Sequence, residues 1–214
     1  MNLPNKLSIL RICLVPFFVA AYFLPYYWGA YIAVGLFILA AATDFLDGYI
    51  ARKYNMITDS GKLLDPIADK ILICAALFCI VSANPLLYLQ YDPKYNVQVY
   101  VAVTVLVIGA ILIISRELLI SAVRQIAAAK GVVVQANVFG KIKTVCQDVS
   151  LPMLVLLNSA RLQAVNDVAM GTFTLSVFWT VWWWASFAFF TVSVIMTIVS
   201  GVIYLVQNKK VFAN

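Results

Sequence analysis

At 214 residues, 64% of them hydrophobic and only 11% charged, with a mean hydropathy of +0.96, the chain is far too apolar for a soluble domain and has the composition of a membrane protein. A formal net charge of +6 on so apolar a chain points to an anionic membrane surface as partner rather than to nucleic acid. Histidine is absent, which removes the commonest general base and the commonest transition-metal ligand; a metal site here would be built from oxygen ligands, which suit Mg²⁺, Mn²⁺ or Ca²⁺. The length suggests a single domain, residues 1–214.

A short polar start, Met1 to Lys6, leads into an apolar run over 7–27 interrupted early by Ser8 and Arg11. The run has no small-residue cleavage site after it, so it reads as an uncleaved transmembrane helix rather than a signal peptide. A second span begins at Ala30. Residues 52–62 form a polar loop, and a third span follows over 63–81. Pro66 is tolerated if that helix starts only a few residues before it, because first-turn N–H groups need no partner. Residues 82–97, with Pro85, Pro93 and several tyrosines, read as a loop. A fourth helix starts near Val99, is apolar to Ile114, and becomes amphipathic through Arg116, Glu117 and Arg124 to Lys130. A fifth takes Phe139 to about Leu157 and a polar loop takes 158–171. Residues 172–208 are uncharged, so the sixth helix is tilted or preceded by an interfacial segment. Cys13, Cys74, Cys79 and Cys146 lie in apolar surroundings without a C-x-x-C pair and read as small buried hydrophobes.

The stretch from Asp44 to Asp69 stands apart. It reads Asp44-Phe45-Leu46-Asp47-Gly48-Tyr49-Ile50-Ala51-Arg52, eight residues, then Gly61-Lys62-Leu63-Leu64-Asp65-Pro66-Ile67-Ala68-Asp69. On a helix, 44, 47, 48 and 51 share one face, and so do 61, 65 and 69. Two carboxylates on one helix can therefore face two on the next. Gly48, Ala51 and Gly61 are small, so the helices can approach closely or leave room for a flat ligand. Four carboxylates at a membrane boundary repel unless a cation binds them. Oxygen ligands of this kind suit one or two divalent cations, and Mg²⁺ sites are commonly completed by substrate phosphates, so a diphosphate is the natural ligand.

This pattern, D-x-x-D-G-x-x-A-R followed after eight residues by G-x-x-x-D-x-x-x-D, resembles the signature of the CDP-alcohol phosphotransferase family, with every fixed position filled. The resemblance implies that an alcohol attacks a CDP-linked lipid, with CMP leaving. By that resemblance Asp44, Asp47 and Asp65 would bind Mg²⁺ or Mn²⁺, and Asp69 would ligate metal and act as general base. Asn5, Ser8, Gly48, Ala51, Arg52, Thr58 and Gly61 would contact the CDP-lipid. The family also implies a homodimer.

A second, basic cluster bears on the alcohol. Arg116 and Arg124 lie about two turns apart, and Lys141 and Lys143 follow on the next helix. Four cations converging near the carboxylates suggest an acceptor that itself carries a phosphate. Asn2 to Ser8 with Arg11 and Pro16, Asp65 to Lys70, Ser115-Arg116-Glu117, and Ala136 through Gly140-Lys141-Ile142-Lys143-Thr144 with Gln147 further resemble the branch of the family whose substrates are CDP-diacylglycerol and sn-glycerol 3-phosphate. That branch usually has threonine where Ser8 stands; the hydroxyl is kept.

With six spans and the first segment cytoplasmic, only Lys94 and Arg161 of the 15 basic residues fall outside. The positive-inside rule then puts both termini and the active site on the cytoplasmic side of the cell membrane. Trp28, Trp179 and Trp182 to Trp184 fall near the outer interface, as an aromatic belt would. The expected architecture is an all-α integral membrane bundle of about six transmembrane helices. Two rivals remain: a sister enzyme with inositol phosphate, serine or phosphatidylglycerol as acceptor, and a cation or proton transporter. A transporter predicts charges near mid-span and releases no CMP, whereas these charges cluster at helix ends on one side.

Overall fold

The computed structural model describes residues 3–53, 59–83, 90, 92–129 and 138–207, with the side chains of 3–4, 45–52, 59–66, 93 and 128–129 outside that description. The described residues form six α-helices: α1 (Leu3–Tyr22), α2 (Tyr27–Lys53), α3 (Asp59–Ala83), α4 (Asn96–Ala129), α5 (Val138–Ala169) and α6 (Val177–Gln207). A 3₁₀ turn, Pro93–Tyr95, precedes α4, and no described residue is in a strand. Stretches in α1, α2, α4 and α6 are long and apolar enough to cross a membrane. α5 carries Lys141, Lys143, Asp148, Arg161 and Asp167, which dilute its hydropathy.

The helices pack as their apolar stripes dictate. On α1, Val15, Phe18 and Tyr22 recur at helical spacing and are buried, facing Phe37 and Ala40 of α2 and Leu72 and Ala76 of α3. α1 lies against both α2 and α3, α2 also against α5, and α6 against α4 and α5. The outward faces carry large apolar side chains such as Phe17, Phe78, Ile111 and Val181; lipid is the medium in which such a surface is stable. In lipid, helix association rests on close packing rather than on water exclusion. Gly109 shows it: a β-carbon there would stand 2.6 Å from Val194 and 2.7 Å from Phe190 of α6. Two buried hydroxyls on α6 are satisfied by their own helix, Ser186 donating to the Trp182 carbonyl at 2.6 Å and Thr197 to that of Ser193 at 2.7 Å.

Several local expectations change. The polar stretch after Leu157 continues α5 to Ala169 instead of forming a loop. Asn158, Ser159, Ala160 and Ala164 are buried there, and the Asn158 amide donates to the Tyr22 carbonyl at 3.0 Å, tying α5 to the end of α1. α3 begins at Asp59, so Pro66 lies beyond the first turn. Non-helical residues 172–176 precede α6. Trp183 is fully buried in the core while Trp28 and Trp184 are exposed; Trp182 donates its indole N–H to the Met153 carbonyl at 3.1 Å. One tryptophan of the run therefore packs the bundle, because consecutive residues on a helix point about 100° apart. Of the cysteines only Cys79 is buried, and Cys13 is exposed.

Candidate active site

α2 and α3 bring the two halves of the motif to one end of the bundle. Among its carboxylates the side chains of Asp44 and Asp69 are described. Those of Asp47, Gly48, Ala51, Arg52, Gly61 and Asp65, and the whole of Thr58, lie outside the described residues. Asp44 and Asp69 line one cavity together with Arg11, Ala40, Leu72 and Asp148. Arg11 reaches it from α1 and is fully buried. Its Nη1 lies 2.8 Å from Asp44 Oδ1, and its Nε donates to the Ala40 carbonyl at 3.2 Å. Two contacts from one planar group hold both the guanidinium and the carboxylate it faces. Asn5 and Ser8 are buried on the same helix.

Three carboxylates against one arginine leave this cavity negative, and among its lining residues there is no soft ligand. That donor set fits a hard divalent cation. Among the described residues no trio of acidic or sulfur side chains is gathered closely enough to hold an ion.

A second cavity, of about 240 Å³, is lined by Asp69, Arg116, Glu117, Arg124, Gly140, Lys141, Thr144 and Tyr204. Three of the four cations singled out from sequence thus meet Asp69 in one space. Lys143 is buried and lies on Glu117, which also accepts from Arg116 Nη1 at 3.0 Å. Glu117 is therefore a bracket for two cations of different helices. Arg116 Nη2 donates to Ser200 of α6 at 3.2 Å, and its buried Nε–H has no acceptor among the described residues. Gln147, one turn past Lys143, is buried with both amide atoms unpartnered among the described residues.

Sequence reading did not assign roles to Arg11, Glu117, Asp148 or Tyr204. For Arg11 a signal existed, since a lone ionisable residue in an apolar stretch of helix is costly unless it faces a partner or a cavity. Nothing in the sequence marks Tyr204.

The model of the CDP-alcohol phosphatidyltransferase family matches residues 1–199. The chain belongs to this family. Among similar CDP-alcohol phosphatidyltransferases, a CDP-diacylglycerol--glycerol-3-phosphate 3-phosphatidyltransferase of Bacillus subtilis (strain 168) is 38% identical over 171 residues, 73% of this chain and 78% of the relative. A protein of the same name from Pseudomonas fluorescens is 44% identical over 89 residues, 42% of this chain and 46% of the relative. Another, from Yersinia pestis (strain Pestoides F), is 40% identical over 82 residues, 38% of this chain and 45% of the relative. In these last two the match spans less than half of the relative's length.

Proposed function

We propose that this family member transfers the phosphatidyl group of CDP-diacylglycerol to sn-glycerol 3-phosphate, forming phosphatidylglycerophosphate and releasing CMP. The observation that carries this reading is that Asp69 borders two cavities of opposite character, one acidic with Asp44 and one basic with Arg116, Arg124 and Lys141. A diphosphate with its cations suits the first, and a small phosphorylated acceptor suits the second. The names of the similar proteins support the same substrates.

In this reading the acceptor hydroxyl attacks the phosphorus that bears diacylglycerol, and the bond to the CMP oxygen breaks. Asp69 takes the hydroxyl proton, standing where donor and acceptor meet. Arg116 and Arg124, which line the basic cavity, hold the acceptor phosphate by charge-assisted hydrogen bonds. Lys141 adds charge at the cavity wall, and Lys143 acts from behind through Glu117. Asn5, Ser8, Gly48, Ala51, Arg52, Thr58 and Gly61 are assigned to the CDP-lipid. One or two Mg²⁺ or Mn²⁺ ions held by Asp44, Asp47, Asp65 and Asp69 would neutralise the diphosphate and the charge on departing CMP. The site is assigned to the cytoplasmic face of the cell membrane, with both termini inside, and the active form to a homodimer.

The test is CMP release by purified protein given CDP-diacylglycerol, Mg²⁺ and one acceptor at a time. Glycerol 3-phosphate should support turnover, and plain glycerol, serine, inositol phosphate or phosphatidylglycerol should not. Preference for one of the others would make the chain a sister enzyme. CMP release with none of them would end the transferase reading.

A further inference from the structure

The two arginines of the basic cavity are both met by one strip of α6, a helix to which neither the motif nor the resemblance assigns a role. Ser200, Gly201 and Tyr204 lie at i, i+1 and i+4 and share a face. The Ser200 hydroxyl accepts from Arg116 Nη2 at 3.2 Å and donates to the Thr197 carbonyl at 3.2 Å, so its acceptor lone pairs are turned to the arginine. At Gly201 a β-carbon would lie 3.4 Å from Arg116 Cγ, an ordinary van der Waals distance, so the arginine stem runs alongside this face of the helix. One turn on, the Tyr204 ring stands 5.7 Å from Arg124 Cζ, within cation–π range. Arg124 is itself exposed, and a long exposed side chain samples many rotamers unless something restricts it. Tyr204 is 2% exposed and packs with Ile120 and Val123, in the turn of α4 that leads to Arg124. Its ring is therefore a fixed surface on which a mobile guanidinium can settle, and both groups line the cavity that holds Asp69.

We propose that this strip of α6 is the positioning element of the acceptor site, with Tyr204 holding Arg124 over the cavity so that anionic acceptors are favoured over neutral ones. It rests on the acceptor reading above and adds the residue that pre-organises it. Ordering the arginine before the ligand arrives lowers the entropy lost on binding, which is the general source of affinity from pre-organisation. Because Tyr204 acts through Arg124, its effect belongs to acceptor affinity and not to the donor or to the chemical step.

The experiment replaces Tyr204 with Phe and with ring-fluorinated phenylalanines, alone and combined with Arg124→Ala. These side chains keep the ring's shape, so the fold is retained, while fluorine withdraws charge from the ring face. KM for glycerol 3-phosphate should rise with fluorination, reaching about three- to tenfold over Tyr204→Phe. KM for CDP-diacylglycerol and the melting temperature in detergent should stay level across the fluorinated series. In the Arg124→Ala background fluorination should have no further effect, since the cation it acts on is gone. An acceptor KM indifferent to fluorination, or one that rises equally with and without Arg124, overturns the proposal. If Arg124→Ala itself leaves glycerol 3-phosphate use intact, the acceptor reading is what fails.

Discussion

Asp69 lines both cavities and Arg11 the acidic one, so substitutions there test the proposed roles directly. Asp69→Asn keeps the volume and removes the carboxylate charge where the two cavities meet, so kcat for CMP release should fall roughly 10²- to 10⁴-fold, the range of a lost general base. Binding of CDP-diacylglycerol to that variant, followed by titration, should change much less; turnover near the wild-type rate would refute the assignment. Arg11 contacts Asp44. Arg11→Lys keeps the charge and cannot keep both the 2.8 Å contact to Asp44 and the Nε–H bond to the Ala40 carbonyl. Asp44 is half exposed, so solvent screens part of the pair. The expected loss in kcat is about tenfold, the low end for a hydrogen bond between charged groups. The helix period of the motif singled out its four carboxylates in sequence, and the two whose side chains are described, Asp44 and Asp69, both line one cavity. Arg11 was not assigned, because the Ala40 carbonyl it meets lies 29 positions along on another helix, with Asp44 one turn further.

At the scale of helices, small residues decide how closely two backbones can pass. Gly109 of α4 sits against Val194 and Phe190 of α6 with no room for even one methyl group. Gly109→Ala should destabilise the protein by about 1–3 kcal/mol, the range for overpacking a filled interior. Gly35 of α2 has open space where a β-carbon would go, so Gly35→Ala should be neutral or stabilising by up to about 1 kcal/mol through helix propensity. Thermal unfolding in detergent compares the two directly, and equal shifts would show that α4 and α6 are not in close contact. The α5 extension belongs to this scale too. Residues 158–169 look like a polar loop, yet Asn158 and Arg161 bond to each other at 3.0 Å and Asn158 to Tyr22, so those polar groups face partners rather than water.

For the whole molecule, the prediction concerns the membrane. Only Lys94 and Arg161 of the 15 basic residues lie on the side assigned to the exterior, an asymmetry large enough to orient the bundle. Single cysteines at Asp92 and Asp167, in a background lacking the four native ones, should react with an impermeant reagent added to intact cells. Cysteines at Asp59 and Lys209 should react only after the membrane is opened. Labelling of position 59 from outside would move the proposed active site across the membrane.

What the amino-acid sequence determined by itself is the class and the family: apolar helical segments, carboxylates at helical spacing, and a family signature whose matching model spans residues 1–199. These are short-range or compositional properties, and a helix period is visible within a dozen residues. Tertiary structure decided which charges meet. Arg116 contacts Ser200, 84 positions away, Lys143 turns to Glu117 and not to the cavity, and Tyr204 comes beside Arg124. Such pairings depend on how six helices are rotated and stacked, and that rotation is set by the sum of many packing contacts, none of which is marked by a local pattern.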